Sequence, residues 1–444
     1  MEPTSRRGYL LTAFHLAVVG GWFLGETLYG LQLSRLEAGM IALGLSFVHG
    51  LVLGRWNDRF ASGLPPSDLR RLRVMEAASV AMATLFLAVT VLTGPRHDYI
   101  LFMEFWSGIS LGHDPWYLAP TYWGIQPPNA YGPLFNLFAW PAQINTLIPK
   151  LVFASSYVLA ASALTTYLSV RPRISGWGLL GLMAWTWNPF VWVEVAIRGH
   201  FDVMMGLASV AAVHFRRERR DLQSATALSL GVLLKYLPIA LLPFIALDGK
   251  RIRYRLVIVS TLLIALGLGL SCLIWGRSTF YPLRFAATRS STYLSIFRFM
   301  RGRFSPLPTL GLAADLDWLS LPAIALGLGL AWWWCRSRNV DPATSAVLSV
   351  LVTLLFYRNG FPQYQIVLMM LASYWVVATW RSRIHRPALV LSLLGYLGWI
   401  VAFDVVYWWI GDSSTTFEDA VGLPTFALGI AFVVCLVRSE PSRA

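Results

Sequence analysis

Residues 222–247 read LQSATALSLGVLLKYLPIALLPFIAL, and the placement of this apolar stretch decides the fold of the chain. The stretch is long enough to cross a bilayer once, because about 20 apolar residues span the hydrocarbon core as a helix. Basic clusters flank it at 216–220 and 250–255, and such clusters stay on the cytoplasmic side. A single crossing would put one cluster on the wrong side. A re-entrant helical hairpin over 222–247 satisfies both.

Pro238 predicts where this hairpin turns. Proline lacks the backbone N–H and disfavours helical geometry at the preceding residue, so the helix is expected to break near Lys235. Each leg of about 12 residues rises about 18 Å, which places the tip in the outer half of the membrane. Broken helices at that depth occur inside protein or against a cavity. Lys235 is therefore expected either to pair with an intramembrane carboxylate or to bind an anionic substrate.

The rest of the chain has the composition of a polytopic membrane protein. Of its 444 residues 56% are hydrophobic and 13% are charged, against roughly 25% charged in soluble domains, and the mean hydropathy is +0.58. These values exclude a soluble enzyme, a secreted module and a disordered tail. Twelve apolar runs predict transmembrane helices. The runs are 9–32, 36–53, 73–94, 150–170, 175–197, 201–215, 253–276, 317–335, 341–357, 364–380, 387–409 and 421–437.

The basic residues predict the orientation. With the N-terminus in the cytoplasm, twelve crossings return the C-terminus there, and most of the 36 Lys and Arg fall inside. This orientation and anionic lipid explain the net charge of +14 without nucleic acid. The protein is thus predicted in the cytoplasmic (inner) membrane with both termini cytoplasmic. Two outer segments, 95–149 and 277–316, are too long for simple links, and 99–111 and 134–148 are expected as short amphipathic helices on the membrane surface.

The first outer loop supplies the candidate catalytic residue. Asp98 follows the third predicted span at the membrane edge, where a carboxylate can face both water and lipid-borne substrates. Asp98 is also placed to cap the helix that starts at Tyr99, and the two roles are compatible. Further along this loop lies an aromatic cluster, expected to line a substrate groove or to anchor the loop at the interface. The cluster consists of Trp116, Tyr122, Trp123 and Tyr131.

A second polar group follows the predicted span 175–197. Glu194 and Arg198 are four residues apart and are expected to form a structural pair on one helix face. His200 and Asp202 lie at the outer mouth, where substrate binding and a structural role both remain open. Ionisable residues within spans cost several kcal/mol to insert, roughly 2.5–3.5 each, so they are expected to be paired or functional.

The second outer loop carries arginines on the side where few are expected: Arg277, Arg284, Arg289, Arg298, Arg301 and Arg303. Guanidinium groups bind phosphate oxygens through two parallel N–H donors. One or two of these arginines, with Arg289 and Arg298 as the candidates, are predicted to bind the phosphate of a lipid-linked substrate. The alternative is a general attraction for anionic head groups.

The order of the motifs along the chain resembles that of a known superfamily. The motifs are Asp98-Tyr99, Gly112-x-x-Pro115-Trp116, Tyr131-Gly132-Pro133-Leu134, Asn188-Pro189, Arg198-Gly199-His200-Phe201-Asp202, Leu230-Gly231-x-x-Leu234-Lys235-x-x-Pro238 and Gln363-Tyr364. Over about residues 90–380 this set resembles the GT-C superfamily of polyprenyl-phosphate-sugar-dependent glycosyltransferases. Within it, the chain is most similar to the GPI mannosyltransferase catalytic subunit and the phosphatidylinositol-mannoside mannosyltransferases.

The resemblance implies an all-α, GT-C-like bundle of about 12 transmembrane helices plus the re-entrant hairpin. A catalytic module at 73–380 would follow two extra N-terminal helices at 1–72 and precede C-terminal helices at 381–444. The implied activity is inverting transfer of a sugar, expected to be mannose, from polyprenyl phosphate to a glycolipid or glycan on the extracytoplasmic face. Asp98 would be the general base. The implied substrate-binding residues are Tyr99, Tyr131, Arg198, His200, Asp202, Lys235, Tyr236, Arg289, Arg298, Gln363 and Tyr364.

One departure from the pattern of the superfamily bears on the expected cofactors. Eukaryotic relatives tend to carry paired acidic residues in the first outer loop, whereas His97 precedes a single Asp98 here. No divalent metal and no other cofactor is therefore predicted. The expected partners are the lipid-linked donor, the acceptor and membrane lipids, with no nucleic acid and the chain as a monomer.

A transporter or flippase of a lipid-linked or amphipathic substrate is the alternative function, since broken helices and midplane charges occur there too. A non-catalytic assembly subunit would leave Asp98 and the arginines without a role.

Overall fold

The computed structural model describes residues 33–61, 64–116, 129–169, 185–307, 309, 316–383, 386–410 and 415–440. In that part of the chain the secondary structure is almost entirely helical, as expected for an all-α membrane protein. The strands are two residues long, and none of them builds a closed sheet. The predicted span 9–32, much of the span 175–197, and the aromatic residues Tyr122 and Trp123 lie outside the described residues.

The first helices in chain order are α1 (Leu33–Ala61), α2 (Pro66–Thr93), α3 (Asp98–Ser110), α4 (Pro133–Asn136), α5 (Ala139–Ile144), α6 (Ile148–Ser169), α7 (Pro189–Val191), α8 (Asp202–Arg217) and α9 (Asp221–Leu234). They are followed by α10 (Leu242–Ile245), α11 (Tyr254–Trp275), α12 (Tyr281–Thr288), α13 (Ile296–Arg301), α14 (Ser320–Arg338), α15 (Pro342–Phe356), α16 (Gln365–Arg383), α17 (Pro387–Ile410) and α18 (Thr415–Ser439).

Shorter elements connect these helices. A π-helical turn, Trp192–Ile197, continues from α7, and 3-10 turns occupy Leu237–Leu241, Gly276–Phe280, Asp317–Leu319 and Pro362–Tyr364. Strand β1 (Leu247–Asp248) pairs antiparallel with β2 (Arg251–Ile252), with Leu247 opposite Ile252. Strand β3 (Thr292–Tyr293) pairs parallel with β4 (Asn359–Gly360), with Thr292 opposite Asn359.

Among the described residues, five segments are long and apolar enough to cross a membrane, or up to seven if two bent helix pairs count as one span each. The five are Pro66–Thr93, Tyr254–Ala286, Asp317–Arg338, Pro387–Tyr407 and Glu418–Ser439. The bent pairs join 133–144 to 148–162 and 189–197 to 202–217. The described residues thus do not confirm all twelve predicted spans. One reason is length: α15, at the predicted span 341–357, has 15 residues, and a helix rises about 1.5 Å per residue, which is too little for a core of about 30 Å.

The chain divides into two compact units, of which the first comprises residues 1–112 and 137–204. In this unit α2 packs against α1, α6 and the π-helical turn. Aromatic rings fill the contact, with Phe86 on α2 lying 5.8 Å from Tyr157 and 5.7 Å from Trp187, centroid to centroid. The helix predicted at 99–111 is present as α3. Its Tyr99, Phe102 and Trp106 follow the helical period and are buried on one face.

The second unit comprises residues 113–136 and 205–444. Its centre is α15, in which every residue from Ala343 to Leu355 is buried. A helix that is apolar on all sides is stable in such a central position, because each face can contact a neighbour. Helices α14, α16 and α18 pack around α15, and α9 packs against α11.

The apolar stretch 222–247 lies in the second unit and breaks where Pro238 predicts. Helix α9 ends at Leu234, and Lys235 has extended backbone angles. An ion pair of 3.0 Å joins Arg253, beyond the end of the stretch, to Asp221 at its start. Arg216, just before the stretch, donates to the carbonyl oxygen of Leu247 at 2.6 Å. The two ends of the stretch therefore lie side by side.

Candidate active site

Asp98 is positioned by the turn that connects α2 to α3 in the first unit. Gly94 ends α2 with φ of 57°, and His97 has φ of 48°, which is uncommon for a residue other than glycine. His97 occupies the position before the helix, so Asp98 is the first residue of α3 and does not cap it. The expected capping role is therefore wrong. A carboxylate in the first turn is nonetheless favoured by the helix dipole.

The Asp98 carboxylate belongs to a chain of polar contacts with the segment after the π-helical turn. Its Oδ2 lies 3.2 Å from Nε2 of His200, and Nδ1 of His200 lies 2.5 Å from Oε2 of Glu194. Arg198 donates to the other oxygen of Glu194, which confirms the predicted Glu194–Arg198 pair. The Glu194 side chain is 0% exposed and that of His200 is 4% exposed, whereas the Asp98 side chain is 41% exposed. Asp98 is thus the accessible end of a buried network.

The local sequence explains how His200 returns to Glu194. The π-helical turn ends at Ile197, and the amide of His200 donates to the carbonyl oxygen of Glu194 at 2.9 Å. Gly199 has φ of 74°, and a Cβ there would lie 2.8 Å from Cδ2 of Tyr99. Glycine is therefore required at this turn both for its backbone angle and for the close contact.

The electrostatic neighbours of Asp98 favour its ionised form. The partial loss of hydration at Asp98 would by itself raise the pKa of its carboxyl group, but the hydrogen bond from His200 and the positive charges of His200, Arg198 and His97 outweigh it and lower the pKa. His200 faces a carboxylate through each ring nitrogen, and it can donate to both only as the imidazolium. The arrangement provides an ionised, accessible carboxylate that can accept a proton.

Tyr99 and Asp202, both predicted to bind substrate, are buried in the first unit. Tyr99 is 0% exposed, and its hydroxyl donates to the carbonyl oxygen of Thr146 at 2.5 Å. Asp202 is buried in the first turn of α8. Of the residues predicted in this unit, the structure brings Asp98, Arg198 and His200 together, and Glu194 is the common partner of Arg198 and His200.

The second unit holds the other predicted residues around Lys235. The ammonium nitrogen of Lys235 lies 4.0 Å from the ring centroid of Tyr364 and 5.4 Å from that of Tyr131, within the range of cation–π attraction. Lys235 is buried, as are Gln363 and Tyr364. The hydroxyl of Tyr236 is also buried, and it has no hydrogen-bond partner among the described residues.

Gly132 explains how the Tyr131 motif reaches Lys235. The amide of Gly132 donates to the carbonyl oxygen of Leu234 at 2.9 Å. A Cβ at position 132 would lie 2.2 Å from the carbonyl oxygen of Leu233, so no other residue fits here without a shift of the backbone. Trp116 supports the same loop, because its indole N–H donates to the carbonyl oxygen of Tyr131 at 3.2 Å. Two motifs about 100 residues apart in the chain are thereby adjacent.

Arg289 lies in the same unit, close to the β3–β4 pair. Its guanidinium lies 4.4 Å from the ring centroid of Phe361, two residues before Gln363. Burial raises the pKa of Tyr357, and the positive charges of Lys235 and Arg289 both oppose this effect. The two cations therefore lie close to the same hydroxyl group. Within the described part of the chain, Arg289 has no carboxylate at ion-pair distance.

Three of the other outer arginines differ from Arg289, because acidic side chains of the second unit balance their charges. Arg298 forms ion pairs of 2.9 Å with Asp419 and 3.4 Å with Glu418. Arg301 and Arg303 lie 3.6 Å from Asp317 and Asp419, respectively. The sequence suggested both Arg289 and Arg298 as phosphate ligands, and the ion pairs of Arg298 favour Arg289.

Two buried cations, one in each unit, could not be identified as site residues from the sequence. Lys150 is 0% exposed near the start of α6, and Arg358 is 7% exposed beside β4, where it donates to the carbonyl oxygen of Ala286 at 2.9 Å. The available signal was a charged residue next to a long apolar run, which is also the pattern of a residue at the membrane interface. Among the described residues, no group of three or more His, Cys, Asp or Glu is placed to hold a metal ion.

These observations define a helical membrane protein whose polar centre presents an ionised carboxylate. The profile of glycosyltransferase family 87 matches residues 129–357, just over half of the chain. The chain belongs to this family, which has the GT-C fold, and the predicted superfamily is confirmed. The matched range contains His200, Lys235 and Arg289, whereas Asp98 precedes it. No curated protein matches the chain.

Proposed function

We propose that this protein is an inverting membrane glycosyltransferase that transfers mannose from polyprenyl phosphate to a glycolipid or glycan acceptor. Membership of family 87, whose enzymes depend on polyprenyl-phosphate mannose, supports the donor class. The single observation that carries the catalytic part is the exposed Asp98 carboxylate, hydrogen-bonded at 3.2 Å to a buried histidine.

Asp98 acts as the general base in this proposal. It accepts the proton of the acceptor hydroxyl while that oxygen forms a bond to the anomeric carbon of the sugar. The bond from this carbon to the phosphate oxygen breaks, and the phosphate departs with the electron pair. Glycosidases need a second carboxyl group to protonate a poor leaving group, whereas an anionic phosphate leaves without one. One positioned base is therefore enough, and such a base contributes roughly 10²–10⁴-fold to the rate.

Lys235 and Arg289 bind the donor phosphate in this proposal. A departing phosphate gains negative charge, which fixed cations stabilise. Two observations support these residues over Arg298: the charges of both cations reach Tyr357, and Arg298 is ion-paired with Asp419. The hydroxyl of Tyr236, for which the described part of the chain offers no hydrogen-bond partner, is a further donor for phosphate oxygens.

The topology proposed for the enzyme is that inferred from the sequence. Residues 222–247 form a re-entrant hairpin, which the Asp221–Arg253 ion pair between its two ends supports. Both termini are cytoplasmic, the site opens to the extracytoplasmic face of the inner membrane, and the chain acts as a monomer with membrane lipids around it. No metal or other cofactor takes part in the proposed transfer.

Replacing the Asp98 carboxylate tests the proposal. We expect Asp98→Asn to lower transfer of labelled mannose from polyprenyl phosphate to membrane lipid extract at least 100-fold, because the amide cannot accept the proton. The matched control is Glu104→Gln, which makes the same change on the same helix and is expected to retain activity. Retention of more than a tenth of wild-type turnover by Asp98→Asn would rule Asp98 out as the base.

A further inference from the structure

Lys150 is a fully buried lysine on α6 of the first unit, and the transfer reaction proposed above does not use it. Its ammonium nitrogen lies 2.7 Å from the carbonyl oxygen of Gly94 and 2.8 Å from that of Ile197. It also lies 3.0 Å from Oγ1 of Thr93 and 3.3 Å from the carbonyl oxygen of Thr90. The side chain is 0% exposed. All three ammonium hydrogens therefore have acceptors.

The acceptors of Lys150 are neutral, and no carboxylate among the described residues pairs with it. They are grouped at the C-terminal end of α2 and at the end of the π-helical turn. Carbonyl groups at helix C-termini carry partial negative charge, which stabilises a nearby cation. A buried charge is costly to insert, so a lysine that could be replaced by an apolar residue without consequence would not be expected here.

The two segments joined by Lys150 lead directly to the two partners of the carboxylate–histidine pair. Gly94 precedes Asp98 by four residues, and Ile197 precedes His200 by three residues. The backbone N–H of Lys150 also donates to the Tyr99 hydroxyl at 3.1 Å, so the residue after Asp98 is fixed as well. Gly199, the residue before His200, lies against the Lys150 side chain, since a Cβ there would be 3.1 Å from Cε.

We propose that Lys150 is a positioning residue that fixes the distance between Asp98 and His200. It touches neither reacting atom. By joining the end of α2 to the end of the π-helical turn, it holds Oδ2 of Asp98 within hydrogen-bond distance of Nε2 of His200. The proposal rests on the proposed function in one respect, namely that Asp98 is the catalytic base.

The charged groups around the pair determine what loss of Lys150 should change. Asp98 and Glu194 face the His200 ring, and Arg198 and His97 act on Asp98. The positive charge of Arg96 repels the ammonium group of Lys150. If Lys150→Met lets Asp98 move away, His200 keeps Glu194 but loses one carboxylate. The imidazolium should then lose a ring proton at lower pH than in the wild type, as it should in Asp98→Asn.

The experiment measures His200 directly in the full-length protein in detergent. The seven histidines are labelled with ¹⁵N, and the His200 signals are assigned by their loss in His200→Asn. We expect the pH at which His200 loses a ring proton to fall by at least one unit in Lys150→Met and in Asp98→Asn. An unchanged titration of His200 in Lys150→Met would overturn the proposal, whatever the activity of the variant.

Kinetics of the same variants separate positioning from general damage to the fold. Small misplacements of catalytic groups cost up to about 100-fold in rate, so we expect Lys150→Met to lower kcat 10- to 100-fold with KM for the donor unchanged. In the His200→Asn background, Lys150→Met should have no further effect, because the contact it protects is already absent. Equal losses in both backgrounds would identify a merely structural role and overturn the proposal.

A milder variant keeps the test decisive if Lys150→Met fails to fold. Thr93→Val removes one acceptor of Lys150 and the hydrogen bond of 3.2 Å from Thr93 to the carbonyl oxygen of Ala196. We expect a smaller shift of the His200 titration in the same direction, and no shift in a folded Thr93→Val protein contradicts the proposal. An active Asp98→Asn enzyme would refute the proposed base alone, since the His200 titration reports on Lys150 independently of turnover.

Discussion

The charge on Asp98 is controlled by residues that lie far from it in the sequence. His200, 102 residues away, donates to its carboxylate, and Arg198 adds a second positive charge nearby. A general base must be ionised to accept a proton, so a lowered pKa keeps Asp98 ready at lower pH. The cost is a weaker base, which the good leaving group of the proposed phosphate-linked sugar donor makes tolerable.

Removing His200 should therefore change the pH profile as well as the rate. Because of His200 the pKa of Asp98 lies below its ordinary value of about 3.9, so we expect the acidic limb of kcat/KM in the wild type to lie below that pH. In His200→Asn the pKa of Asp98 rises, and we expect the acidic limb to move to higher pH. His214→Asn, at an exposed histidine hydrogen-bonded to Tyr374, is the control. An unmoved limb in His200→Asn would contradict this account of Asp98.

Lys235 offers a test of the donor site. A hydrogen bond to a charged group is worth about 1.5–3 kcal/mol, which corresponds to roughly 10- to 150-fold in affinity. We expect Lys235→Ala to weaken binding of polyprenyl-phosphate mannose by this factor, measured by isothermal titration in detergent. Lys250→Ala, at an exposed lysine beside β2, should leave the affinity unchanged. Equal donor affinity in Lys235→Ala and the wild type would exclude the phosphate role.

Gly132 tests whether the close approach of the Tyr131 loop to α9 is required. The Cβ of Gly132→Ala would lie 2.2 Å from a backbone oxygen of α9, so the Tyr131 loop must move away from Lys235. Overpacking typically costs about 1–3 kcal/mol, and we expect a lower melting temperature together with weaker donor binding. Gly269→Ala, where nothing lies within 4 Å of the added carbon, is the matched control. A Gly132→Ala protein with wild-type stability and donor affinity would show that the close approach is not required.

At the scale of elements, those that depend on nearby residues could be predicted from the sequence, and those that depend on long-range contacts could not. Helix α3 and the break after Leu234 follow from apolar periodicity and from Pro238, which act within a few residues. The π-helical turn has no such signal, because its wider geometry is selected by contacts of Glu194 and His200 rather than by propensity. The β3–β4 pair joins segments far apart in the chain, and two-residue strands leave no alternating pattern.

The hairpin over 222–247 can be tested by the sidedness of its ends. After replacement of the three native cysteines, single cysteines are introduced at Gln223 and Lys250, which are both exposed. We expect both to react with a membrane-impermeant thiol reagent from the cytoplasmic side. Leu111→Cys in the first outer loop, where Leu111 is 73% exposed, should react from the other side. Reaction of Gln223→Cys and Lys250→Cys from opposite sides would show that the segment crosses the membrane.

At the scale of the whole molecule, the sequence could identify members of the candidate site but not their pairings. Asp98, His200 and Lys235 stand out because ionisable groups are rare in an apolar chain. Which arginine of the second outer loop is already neutralised depends on Asp419 and Glu418, more than 100 residues further on. Lys150 could not be recognised, because its role follows from two helix ends that the sequence does not bring together.

The most direct test of the central claim follows the fate of the sugar. Purified protein is reconstituted in vesicles with polyprenyl-phosphate mannose labelled in the sugar and with membrane lipid extract as acceptor. We predict that the label moves from the donor to a new glycolipid with inverted anomeric configuration, and that Asp98→Asn abolishes this transfer while still binding the donor. Label that stays on polyprenyl phosphate and crosses the bilayer would contradict the account and identify a flippase instead.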